Sequence, residues 1–75
     1  MTTADLLTEK ALELATPDVD RGEAISQLAT AAAGRRVAVV LARQHLLSQL
    51  DAGSDDGTAS RALELLDAVL EALPT

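Results

Sequence analysis

Leu28-Ala-Thr-Ala-Ala-Ala-Gly-Arg-Arg-Val-Ala-Val-Val-Leu-Ala42 is the stretch that decides how this chain folds. Its last part, Val37 to Ala42, is apolar without interruption. In a helix such a run wraps past a full turn of about 3.6 residues, so it is apolar on every side. A helix of that kind is buried on all sides. The middle of the stretch holds Gly34. If Gly34 is the left-handed residue behind a helix over 21–33, the chain has four helices. If it lies inside a helix, one long helix runs over 21–51, at a cost of about 1 kcal/mol for the glycine. Two observations favour the long helix. No Ser, Thr, Asp or Asn stands between Gly34 and Val37 to cap a new one. An antiparallel turn also needs loop residues that Ala33-Gly34-Arg35 barely supplies. The expected fold is therefore all-α and three-helical, short–long–short, in one domain over 1–75. A four-helix bundle broken at Gly34 is the alternative. A kink near Gly34 is compatible with the long helix, because Ile25, Leu28 and Ala32 lead along their face to Arg36 rather than to a hydrophobe.

Working outward, Asp20-Arg-Gly-Glu23 fits a capping box, with Val19 and Ala24 as its hydrophobic staple. A helix start near Arg21 follows. Upstream, residues 4–15 read as a helix capped by Thr2 or Thr3, with Leu7, Ala11 and Leu14 on one face and Asp5, Glu9 and Glu13 on another. Thr16-Pro17 ends it, since proline disfavours helical backbone at the residue before it. Downstream, Asp51-Ala-Gly-Ser-Asp-Asp-Gly57 reads as a loop. Thr58 is placed to cap a last helix over 59–73, ended by Pro74. That helix carries Ser60, Glu64, Asp67 and Glu71 on its polar side and Leu63, Leu66, Val69, Leu70 and Leu73 on the other. The long helix would span roughly 45 Å and the outer two roughly 18 and 22 Å, so each could fold along one half of it.

Composition narrows what such a protein can do. A 75-residue chain hides only roughly 60% of its unfolded surface, and its core needs help from disulfides, a metal, oligomerisation or very regular helix packing. It has no cysteine and no aromatic residue, so Leu, Val, Ile and Ala must form both core and interface. Two short outer helices cannot cover an all-apolar central helix, and a second copy is the simplest cover. A homodimer is expected, with Val37, Val40, Leu41 and Leu47 near or in the shared core. The charges are segregated. Residues 1–23 hold six acids against two bases, 24–50 hold three arginines and no acid, and 51–75 hold six acids against one base. A basic middle between acidic flanks is complementary within the fold or across a dimer. The net charge of −6 opposes nucleic-acid binding, in which phosphate contacts dominate. There is neither an apolar run long enough for a membrane span nor a basic-then-apolar leader in MTTADLLTEK. A cytoplasmic protein is expected, and the Ala, Arg and Asp usage suits an actinobacterial or phage source.

The chain lacks a catalytic constellation. His45 is the only histidine, and nothing in the sequence supplies a nucleophile with an orienting group around it. The 51–64 segment fails the calcium-loop pattern in both registers. Started at Asp51 it has Asp56 and Ala62 where Gly and an acid are needed, and slid by one it begins with Ala52 and ends with Leu63. No enzyme activity, cofactor or metal is expected. Leu28–Ala42 has the outline of a helix-turn-helix, with an Ala-rich helix, a glycine in the turn and a second helix. That second helix is mostly apolar and has few side chains to read base edges. The expected function is thus a non-catalytic protein–protein interaction module, a small homodimeric adaptor or regulatory accessory. A DNA-binding helix-turn-helix-like regulator is the alternative. The exposed acidic stripes Asp5/Glu9/Glu13 and Glu64/Asp67/Glu71 are the candidate surfaces for a further protein partner.

Overall fold

A computed structural model describes residues 2–53 and 57–73. The protein is all-helical among these residues, with four helices: α1 (Thr3–Leu14), α2 (Arg21–Ala32), α3 (Arg36–Asp51) and α4 (Thr58–Ala72). The continuous 21–51 helix is therefore corrected to the alternative, a chain broken at Gly34. Ala33 and Gly34 both adopt positive φ, 52° and 77°. The Ala33 amide closes α2 on the carbonyls of Ala29 and Thr30, and the Arg35 amide bonds the Ala32 carbonyl at 2.9 Å.

The two arguments for a long helix failed for identifiable reasons. An N-terminal side-chain cap is worth only about 1 kcal/mol, and α3 starts at Arg35 without one. The loop-length argument assumed antiparallel neighbours. In fact α2 and α3 scarcely touch, and each packs instead on α1 and α4, which also meet one another. The 33–35 segment has only to turn a corner, and three residues suffice for that.

This geometry sets the effect of two substitutions. A Cβ at Gly34 would meet nothing within 4 Å, so Gly34→Ala incurs backbone strain alone and should destabilise by about 1 kcal/mol. Ala33→Gly removes the same kind of strain and should stabilise by up to about 1 kcal/mol. Thermal melts check both, at roughly 4–8 °C per kcal/mol for a domain of this size. A rise in melting temperature for Gly34→Ala would contradict the corner.

The other helix ends follow the sequence closely. Thr2 and Asp5 form a reciprocal capping box on α1, with the Asp5 amide donating to Thr2 Oγ1 at 3.2 Å. Asp20 accepts from the Glu23 amide at 3.1 Å to start α2. The Glu23 carboxylate does not reach back as a full box would require, and accepts from Gln27 Nε2 instead. A Cβ at Gly22 would sit 3.1 Å from Asp20 Oδ2, so a larger residue there would push on the capping carboxylate by a few tenths of an ångström. α4 begins one residue earlier than expected, with Gly57 at φ 101° in the cap position and Thr58 inside the helix. The expected loop reading of 54–56 and the role of Pro74 lie outside the described residues.

Leu7, Leu28, Val39, Leu46, Leu66 and Val69 form the centre of the core, drawn from all four helices. Ala11, Ala24, Ala32, Ala42 and Ala62 are fully buried between them, and their small side chains let the helices approach closely. Leu65 also turns inward, which widens the apolar side of α4 beyond the expected set. No described helix is long and apolar enough to cross a membrane.

Candidate functional site

α3 has a buried side and an outer side, and the outer side is the unusual one. Successive helical residues are about 100° apart. Ala38, Val39, Ala42 and Leu46 point into the core. That leaves Val37, Val40, Leu41, Gln44, Leu47 and Ser48 outward, and all six are exposed. Val37 is 71% exposed, Leu41 43%, Leu47 38% and Val40 37%. The run Val37–Ala42, expected to be covered on all sides, is thus covered on one side by its own protomer. The four residues expected at a dimer interface are brought onto one face, about three turns long and free of charge. The sequence reading missed Gln44 and Ser48, which the same helical spacing would have supplied. It also missed Leu6, a separate exposed leucine on α1.

Charged residues border this face without entering it. On the α4 side, the Arg43 guanidinium pairs with the Asp67 carboxylate, and Arg36 donates to the Leu70 carbonyl at 3.2 Å. On the α1 side, His45 Nδ1 lies 3.8 Å from Asp5 Oδ1 and 3.4 Å from Thr8 Oγ1. Thr8 is buried, and its hydroxyl donates to the Ala4 carbonyl at 2.8 Å. Asp5 and Thr8 both face the same ring nitrogen, so Asp5 cannot orient the ring while the ring takes a proton from Thr8. The cluster links α1 to α3.

At the N-terminal end of the face, Val37 and Leu41 continue into a mainly apolar groove of about 500 Å3, walled by Thr2, Thr3 and Ala4 of α1 and by Arg35 and Arg36. The acidic stripes lie apart, on different helices. Asp5 shares a shallow groove with Glu9, Leu12, His45 and Gln49, and Glu13 is exposed beyond it. On α4, Asp67 is used by Arg43 while Glu64 and Glu71 face solvent around Arg21. Among the described residues no group of His, Asp and Glu side chains could hold a metal ion, and no buried side-chain polar atom lacks a hydrogen-bond partner. No protein-family model matches the chain, and neither a curated protein nor a solved structure is significantly similar to it.

Proposed function

We propose that the protein is a non-catalytic interaction module that works as a homodimer, joined through the outer face of α3. One observation carries the reading: an uncharged strip of Val37, Val40, Leu41 and Leu47 lies open on α3, while Arg43 and Arg36 beside it are drawn to Asp67 and Leu70 of α4. Exposed leucines and valines are ordinary when scattered, but a contiguous patch of them marks an interaction surface. The small core supports the same conclusion, because short chains commonly gain stability by oligomerising. The acidic residues of α1 and α4 then lie outside the joined face, where Glu9, Glu13, Glu64 and Glu71 are free to meet a basic surface of another protein.

The helix-turn-helix reading gains the α2–corner–α3 outline but loses the recognition helix. The side of α3 that would enter a groove offers only Gln44 and Ser48 among aliphatics. Of the three arginines in this segment, Arg36 and Arg43 are occupied by Leu70 and Asp67, which leaves Arg35 alone.

Light scattering across a concentration series tests the proposal. A mass near twice 7.8 kDa is expected at micromolar concentration, decreasing on dilution. A mass of one protomer throughout would refute it.

A further inference from the structure

The groove at the N-terminal end of the α3 face is a positive corner on a chain of net charge −6. Thr8 of α1 meets His45 of α3, and one turn earlier Ala4 lines the groove beside Arg35 to Ala38. α1 and α3 therefore run side by side in the same direction, and their N-terminal ends open into one groove. Each such end carries about half a positive charge. Asp5 answers that of α1 in its capping box. That of α3 is unanswered. Its first turn holds no acid, no side chain caps it, and the Arg36 and Val37 amides have no acceptor among the described residues. Arg35 and Arg36 add to the charge. Arg36 gives one N–H to the Leu70 carbonyl, while the Arg35 guanidinium has no hydrogen-bond or ion-pair partner among the described residues. No acidic side chain lines the groove, and Ala4, Val37, Ala38 and Leu41 make most of it apolar.

We propose that this groove binds a free aliphatic carboxylate, a medium-chain fatty acid. Its carboxylate lies at Arg35 and the first amides of α3, and its chain lies along Val37 and Leu41. The two halves of the groove call for the two halves of such a molecule. Guanidinium and helix-end amides are complementary to a carboxylate. The aliphatic lining is complementary to methylenes, each worth the more the further it leaves water. A peptide tail ending in a carboxylate suits the groove less. Its own amides need partners, and past the first turns the backbone groups of α1 and α3 are spent within their helices. The site is complete in one protomer and does not rest on the self-association reading, although the two share Val37 and Leu41.

Decanoate and octanoate, titrated below the concentrations at which they self-assemble and followed by NMR, test the proposal. Because a second copy would cover Val37 and Leu41, the titrations use the wild-type chain and Leu47→Asp. The latter keeps the groove and is a single protomer on the self-association reading. Decanoate should shift the resonances of Ala4, Val37, Ala38 and Leu41 in Leu47→Asp to saturation. Octanoate should bind roughly fourfold to fifteenfold more weakly, the worth of two methylenes half to fully buried. A Leu47→Asp chain that shows no saturable shift at these residues would overturn the proposal and leave the dimer untouched. A wild-type mass of one protomer at all concentrations is the separate result that removes the dimer and leaves the groove.

Charge is the second readout. Arg35→Gln removes no contact within the protomer, so the fold should survive it. It should weaken decanoate by roughly twofold to fivefold, as for an exposed ion pair, and leave decanol unchanged. Decyltrimethylammonium carries the same chain with the opposite charge and should bind more weakly than decanoate. Equal binding of the two, or equal loss of decanoate and decanol in Arg35→Gln, would overturn the placing of the carboxylate. A short peptide with a C-terminal valine that binds the groove more tightly than decanoate would overturn the fatty acid as its occupant.

Discussion

Val40→Asp should turn the protein into a folded monomer. In the protomer Val40 is 37% exposed, so a carboxylate there can reach water and the four helices can form. At the proposed α3–α3 contact the same carboxylate would be enclosed by aliphatic side chains, once in each copy. Removing an unpaired charge from water costs several kcal/mol. The dimer should weaken by roughly a hundredfold or more, which at micromolar concentration leaves the mass of a single protomer. Circular dichroism should show the helix content retained. Light scattering that still gives a dimer would place the contact on another surface.

Leu46→Ala should have the opposite signature, although position 46 adjoins Leu47 of the proposed interface. Leu46 is fully buried among residues of the common core. Its truncation leaves a cavity and should cost about 3–4 kcal/mol. Native proteins have only about 5–15 kcal/mol in total, and small ones lie toward the lower end. At roughly 4–8 °C per kcal/mol the melting temperature should fall by some tens of degrees or the fold should be lost. Leu47→Ala, measured below the concentration at which dimers form, should cost less than about 1 kcal/mol, since that side chain is already 38% exposed in the protomer. Equal losses for the two variants would mean that the inner and outer sides of α3 have been misassigned.

The legible parts of this fold were those with a local cause. The stop at Thr16-Pro17 and the Asp20 cap follow from the side chains beside them, as does the cap at Thr2. The apolar side of α4 was readable because it repeats at helical spacing. The break at Gly34 was not, because it depends on where α1 and α4 stand. Ala29 to Ala33 prefer helix, and nothing nearby shows that α3 must leave the line of α2 to find its neighbours. The outer strip of α3 was half legible. Its apolar residues stood out as an excess that two short helices could not cover. Which of them would turn away from the protomer was set by packing: Val39 went inward and Val40 outward. The two acidic stripes were visible as helical spacing, i, i+4, i+8 in α1 and i, i+3, i+7 in α4, but the attachment of Asp67 to Arg43 and of Asp5 to His45 needed the assembled helices.

The corner at Ala33-Gly34-Arg35 also makes the protomer a pair of helical hairpins, α1 with α2 and α3 with α4, docked on each other around one pivot. Were the two positive-φ residues to relax into helical backbone, α2 and α3 would fuse into a rod of some thirty residues over 21–51, and the hairpins would swing apart. Every surface thereby uncovered has its complement on another copy in the same opened state. Two such chains could exchange hairpins and rebuild both cores, an outcome to which short strained hinges are prone. Two adjacent left-handed residues thus hold α2 and α3 out of line, and with that turn all four helices of one chain close one core.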